Sequence, residues 1–129
     1  MNEVDFYIAQ DNTSDPLEVT LQDDDGNAVD LTNASIKFVM SAVGSDTRKV
    51  DSNVAADGLS SATDGDGVDI DDATAGDVTY HWSDSDTDTA GYYNARFLVD
   101  YNGGTGASFD VSQSFPNVGY VTVRVAESV

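Results

Sequence analysis

The chain has 129 residues, of which 40% are hydrophobic, and 24 acidic against 5 basic side chains give it a formal net charge of -19. That length suits one domain with one core, here residues 1–129. The charge argues against nucleic acid as a partner, because phosphates repel such a surface, and the absence of cysteine excludes disulfides and thiolate metal sites. The first residues, MNEVDFYIAQDN, have neither the basic flank nor the apolar stretch of a secretion signal, and no apolar run is long enough for a membrane span, so a soluble chain without a membrane partner is expected.

No segment carries a helical period. Short alternating or β-branched runs recur instead between clusters of Asp, Gly, Asn and Ser, and they predict strands over 5–10, 17–22, 35–43, 49–55, 68–70, 77–82, 91–101, 107–115 and 120–126. Leu17, Val19 and Leu21 share one face of the second run, while Val121, Val123 and Val125 oppose Tyr120, Thr122 and Arg124 in the last. In the run from Gly91 the same alternation assigns Tyr93, Ala95, Phe97 and Val99 to the core, and Tyr92, Asn94, Arg96 and Leu98 to the other side. Asp25-Gly26-Asn27, Gly44-Ser45-Asp46 and Asn102 to Gly106 read as turns, Pro116-Asn117 as a break before the last strand, and Asp57 to Gly67 as a long mobile loop. Nine short strands at this spacing predict an all-β, immunoglobulin-like antiparallel β-sandwich. Its first strand, Asp5 to Gln10, is a candidate edge able to pair with a neighbouring chain.

The stretch from Trp82 to Tyr101 alternates acids with small hydroxyls before it becomes a strand. A calcium loop of EF-hand type starting at Asp84 would put Asp86 and Asp88 in place, but Thr89 stands where glycine is needed and Ala95 where a bidentate glutamate is needed. A start at Asp64 fails in the same way at Ala75. Asp84, Asp86 and Asp88 therefore read as a solvated turn, with calcium bridging in another geometry left as an alternative. The single histidine, His81, lies between Tyr80 and Trp82 in a predicted strand and reads as outward-facing. No nucleophile elbow or phosphate loop occurs, and acids in turn-type sequence make poor acid/base pairs, so no catalytic, cofactor-binding or metal-binding residue is assigned and a non-enzymatic protein is expected.

Excess carboxylate with only Lys37, Lys49, Arg48, Arg96 and Arg124 as cations suits concentrated salt, where the Debye length falls to about 3 Å and self-repulsion is screened. A halophilic source follows. The alternative is an acidic mesophilic protein using aspartate for turns, since 21 of the 24 acids are Asp.

The order of DFYIAQDNTSDPLEVTLQDDDGNAVDLTNASIKFVM, GDVTYHWSDSDTDTAGYYNARFLVDY and SFPNVGYVTVRV resembles the N-terminal domains of phage baseplate upper proteins and related tail- or fibre-associated virion proteins. Asp30 to Phe38, Asp88 to Phe97 and Phe115 to Tyr120 carry the likeness most clearly. The resemblance implies an immunoglobulin-like assembly module with no catalytic residues to carry over. Members of that family often continue into further domains, whereas this sequence stops at Val129, which leaves its place in the particle open. With the acid excess, the expectation is a structural protein of a halophilic tailed virus: a baseplate, tail, turret, fibre-attachment or decoration subunit, assembled in the host cytoplasm. Its expected partners are other virion proteins and further copies of itself. The competing expectation is a carbohydrate-binding or adhesin-type receptor-binding module, with exposed aromatics such as Tyr92 facing a glycan and calcium assisting.

Overall fold

The computed structural model describes residues 6–23, 25–56, 67–115 and 121–127. Among the described residues ten strands run in chain order: β1 (Phe6–Ala9), β2 (Leu17–Thr20), β3 (Ser35–Ala42), β4 (Arg48–Asp51), β5 (Ala55–Ala56), β6 (Gly67–Asp72), β7 (Asp77–His81), β8 (Gly91–Asp100), β9 (Gln113–Phe115) and β10 (Val121–Ala126). The one helical element among the described residues is a single 3₁₀ turn, Gly106–Ser108. The protein is therefore all-β.

The strands form two sheets. The larger has the order β1-β10-β8-β3-β4, with β5 also pairing β3 and β9 also pairing β8; the smaller is β2-β7-β6. Alternation sends Ile36, Phe38 and Met40 of β3, Tyr93, Ala95, Phe97 and Val99 of β8, and Val123 and Val125 of β10 into one core with Leu17, Val68, Val78 and Tyr80 of the smaller sheet. Aromatic rings tie the layers together. Phe38 stacks on Tyr80 across the core at 4.2 Å between centroids, and Trp82 meets Phe38 edge-on at 5.8 Å and Phe6 at 5.8 Å.

Three expectations need correction. The sandwich is not wholly antiparallel, because β1 runs parallel to β10, with Phe6 opposite Val123 and Ala9 opposite Ala126. The run over 49–55 is two strands, since the Ser52 hydroxyl accepts the Phe38 N–H at 2.8 Å where a ladder carbonyl would stand, and side-chain competition of this kind interrupts a strand. The run over 107–115 shortens to β9. There the Asp100 carboxylate accepts the N–H groups of Asn102 at 2.9 Å, Gly104 at 3.2 Å and Asp110 at 3.0 Å, and holds the chain in a loop. In that loop Gly103 takes φ +73° with its α-carbon pressed on the Asn33 carbonyl, where an added Cβ would lie 2.6 Å from the oxygen.

The expected turns at Gly26 and Gly44 form with positive φ. The Asp57 to Gly67 loop lies outside the described residues apart from Gly67, as do Asp64 and the Pro116-Asn117 break. Phe6–Ala9 stands at the end of the sheet order, so the expected edge strand is an edge among the described residues.

Candidate functional site, the outer face of the larger sheet

The acidic loop that drew attention in the sequence is a structural element. Asp86 is 5% exposed, and its carboxylate accepts the Tyr80 hydroxyl at 2.5 Å and the Ser83 N–H at 2.9 Å. The solvated-turn reading fails for this residue, because the loop folds back over Tyr80 and uses the carboxylate to satisfy buried donors. Asp88 instead pairs with Lys49 at 2.6 Å, and that ammonium, followed by the Thr89 hydroxyl, holds its carboxyl below the usual range. Asp84 faces solvent. The three carboxylates point to three different places. Beside them Tyr93 turns inward at the start of β8 and donates its hydroxyl to the Thr89 carbonyl at 2.6 Å, pinning the loop from β7, and burial pushes its phenol pKa up.

The two outer faces differ sharply. On the smaller sheet the outward positions carry Glu18, Asp69, Asp71 and Asp77, with Thr20, Thr79 and His81 between them and none of the chain's lysines or arginines. His81 does face outward, its Nε2 lying 3.0 Å from Asp69. Thr20 donates to Asp77 at 2.6 Å, and Thr79 donates to Asp71.

The larger sheet gathers the cations. Lys37 of β3, Arg48 of β4, Arg96 of β8 and Arg124 of β10 all occupy outward positions, so four of the five basic residues share one face. Asp51 is their main counter-ion, 2.5 Å from Lys37 and 3.3 Å from Arg48. Partial burial pulls its pKa upward, but the ammonium and guanidinium outweigh this and leave it below the usual carboxylate range. Val39 and Leu98 lie nearly buried on this same outward side. A shallow depression of about 500 Å³ opens there, lined in part by Val39, Asp46, Arg48, Asn94, Arg96 and Leu98.

At one end of the face, strand pairing builds a row. Tyr7 of β1 is opposite Arg124 of β10, and Arg124 is opposite Tyr92 of β8. The Val43 N–H donates to the Tyr92 carbonyl at 3.0 Å, which places Val43 next in line beyond β3. At the usual strand spacing these four residues span about 14 Å. Tyr7 is 69%, Tyr92 53% and Val43 51% exposed, three of the five large apolar side chains exposed among the described residues. The Arg124 guanidinium lies 4.5 Å from the Tyr92 ring centroid, and among the described residues no carboxylate pairs with it.

Sequence alternation assigned Tyr92, Asn94, Arg96 and Leu98 to this side of β8, and the structure places them there. Tyr7, Val43 and Lys37 were not singled out for it. A two-sheet β-sandwich presenting one acidic and one cation- and tyrosine-bearing face is the class that the fold and site define. Comparison with protein-family models, with curated proteins and with solved structures found no match for the chain.

Proposed function

We propose that the chain is an immunoglobulin-like assembly module of a halophilic tailed virus, a non-enzymatic subunit that joins other virion proteins through the outer face of its larger sheet. The strand order supports the fold reading: β10-β8-β3-β4 opposed by β2-β7-β6 matches the division of a variable-type immunoglobulin sandwich, with the first strand at the edge beside the last. Tyr93, bonded back to Thr89 at the start of β8, occupies the place of that fold's tyrosine corner. The observation that carries the functional reading is the Tyr7–Arg124–Tyr92–Val43 row. Tyrosine and arginine are enriched where proteins meet, and a flat row across four strands suits a protein surface.

The test is imaging of purified particles from a halophilic tailed virus with the added protein in molar salt. Decoration at one defined position, lost on Tyr7→Ala with Tyr92→Ala, is expected. A chain that ignores particles but gains thermal stability from glycans or calcium would move the reading to the receptor-binding module. Salt tests the halophilic part separately. Unfolding by urea should be easier in dilute buffer than at about 1 M salt, where the Debye length is about 3 Å, and equal stability across that range would remove that part.

A further inference from the structure

We infer that the outer face of the larger sheet docks the acidic outer face of the smaller sheet of a second copy of this chain, so that copies stack head to tail. This deepens the assembly reading above and rests on it. The argument is charge complementarity within one molecule. One side of the sandwich displays Lys37, Arg48, Arg96 and Arg124, and the opposite side displays Glu18, Asp69, Asp71 and Asp77.

A chain of net charge -19 repels its copies when averaged over orientations. Only an approach that sets the cationic face against an acidic one brings opposite charges into contact. Every copy offers that acidic face, at the same concentration as the cationic one. Arg124 is the sharpest pointer, because it lies between exposed Tyr7 and Tyr92 with no carboxylate partner among the described residues. A carboxylate such as Glu18 from the next copy would complete a charge-assisted hydrogen bond there, while the two tyrosines exclude water around it.

Geometry sets the strength and the form. The smaller sheet limits the contact: three strand rows about 4.8 Å apart and five or six residues of about 3.3 Å rise give a flat area of roughly 250 Å² per copy, below the standard size of stable interfaces. A single contact is therefore weak. Because the two faces are different surfaces on opposite sides of the sandwich, the contact is heterologous, and repetition gives a ring or an open stack rather than a two-fold dimer. Salt acts in two stages. Repulsion between whole chains is long-ranged and is screened first, whereas ion pairs in contact persist to higher ionic strength, so association should rise from dilute buffer to a maximum at intermediate or high salt.

The experiment is light scattering and sedimentation of the full chain over a wide range of concentration and salt. The wild type should show a concentration-dependent mass beyond one chain. Arg124→Glu, and separately the uncharged Tyr92→Ala, should weaken association by about tenfold or more, as should Glu18→Lys on the opposite face. The decisive arm mixes two proteins that each lack one face without a reversed charge. Arg124→Ala with Tyr92→Ala retains the acidic face, and Glu18→Gln with Asp71→Asn retains the cationic face, so each alone should stay monomeric while the mixture forms a one-to-one pair that grows no further.

A wild type that stays monomeric at all salts and concentrations overturns the inference. So does an association that these substitutions leave intact, or a mixture that fails to complement. Copies that stack but ignore virus particles would leave this inference standing and remove the virion reading. Particles decorated by a chain that never self-associates would do the reverse.

Discussion

The outer faces of the two sheets are made of the same kind of strand and reach opposite chemistry. On β2-β7-β6 the outward carboxylates face threonines and one histidine, and the surface relies on hydration and on short bonds such as Thr20 to Asp77. On the larger sheet the outward positions include nearly buried Val39 and Leu98, hold an ion-pair cluster around Asp51, and end in an exposed tyrosine row. The difference teaches that a net charge of -19 describes the chain and not its surface. Four of the five compensating cations are concentrated on one side.

The largest effect should come from the layer that holds the two faces apart. Phe38 is fully buried and touches Tyr80, Trp82 and Phe97, so Phe38→Ala should cost about 3–5 kcal/mol in urea unfolding and remove both faces together. A loss under about 1 kcal/mol would mean that the sheets are joined elsewhere. Next comes the acidic loop. Asp86→Ala strips the acceptor from Tyr80 and Ser83 and should cost about 1–3 kcal/mol, against about 0.5 kcal/mol or less for exposed Asp84→Ala. Equal costs would return Asp86 to the solvated class.

Acid should sharpen the contrast from the cationic side. The backbone N–H groups of Asp110 and Asn102, then Gly104, hold the Asp100 carboxyl below its ordinary value, and Lys37 and Arg48 hold Asp51 there against the opposing pull of burial. A depressed native pKa stabilises the fold above the unfolded value of about 3.9, and that contribution is lost as pH falls from there through the native value. Stability should thus be level near neutrality and fall below about pH 4, with a shallower acid slope in Asp100→Asn. An unchanged slope in that variant would show that the carboxylate is not what pins the 102–110 loop. The smallest effect is on Arg124, whose contact with Tyr92 is exposed. Arg124→Ala should change folding stability by only about 0.5–1 kcal/mol while weakening contact with any partner, and a large loss of stability would make it a structural residue instead.

Much of this was legible in the chain. Period-two runs marked β3, β7, β8 and β10 and sorted Tyr93 from Tyr92, because alternation is a local property of extended backbone. Where side chains compete with the ladder, as Ser52 and Asp100 do, the runs over 49–55 and 107–115 broke differently than alternation implied. The fate of Asp86 was hidden for another reason: nothing in an alternating Asp/Ser/Thr stretch says which carboxylate the Tyr80 hydroxyl will meet.

The sequence by itself determined the β class, the inward parity of β8 and the total charge, since alternation and composition are read from the chain without its partners. Only the tertiary structure decided that Lys37, Arg48, Arg96 and Arg124 share a face and that Tyr7, Arg124, Tyr92 and Val43 form one row. Parity says that a residue points outward, but neighbours on a sheet are set by strand order and register, and those come from packing two sheets over one core.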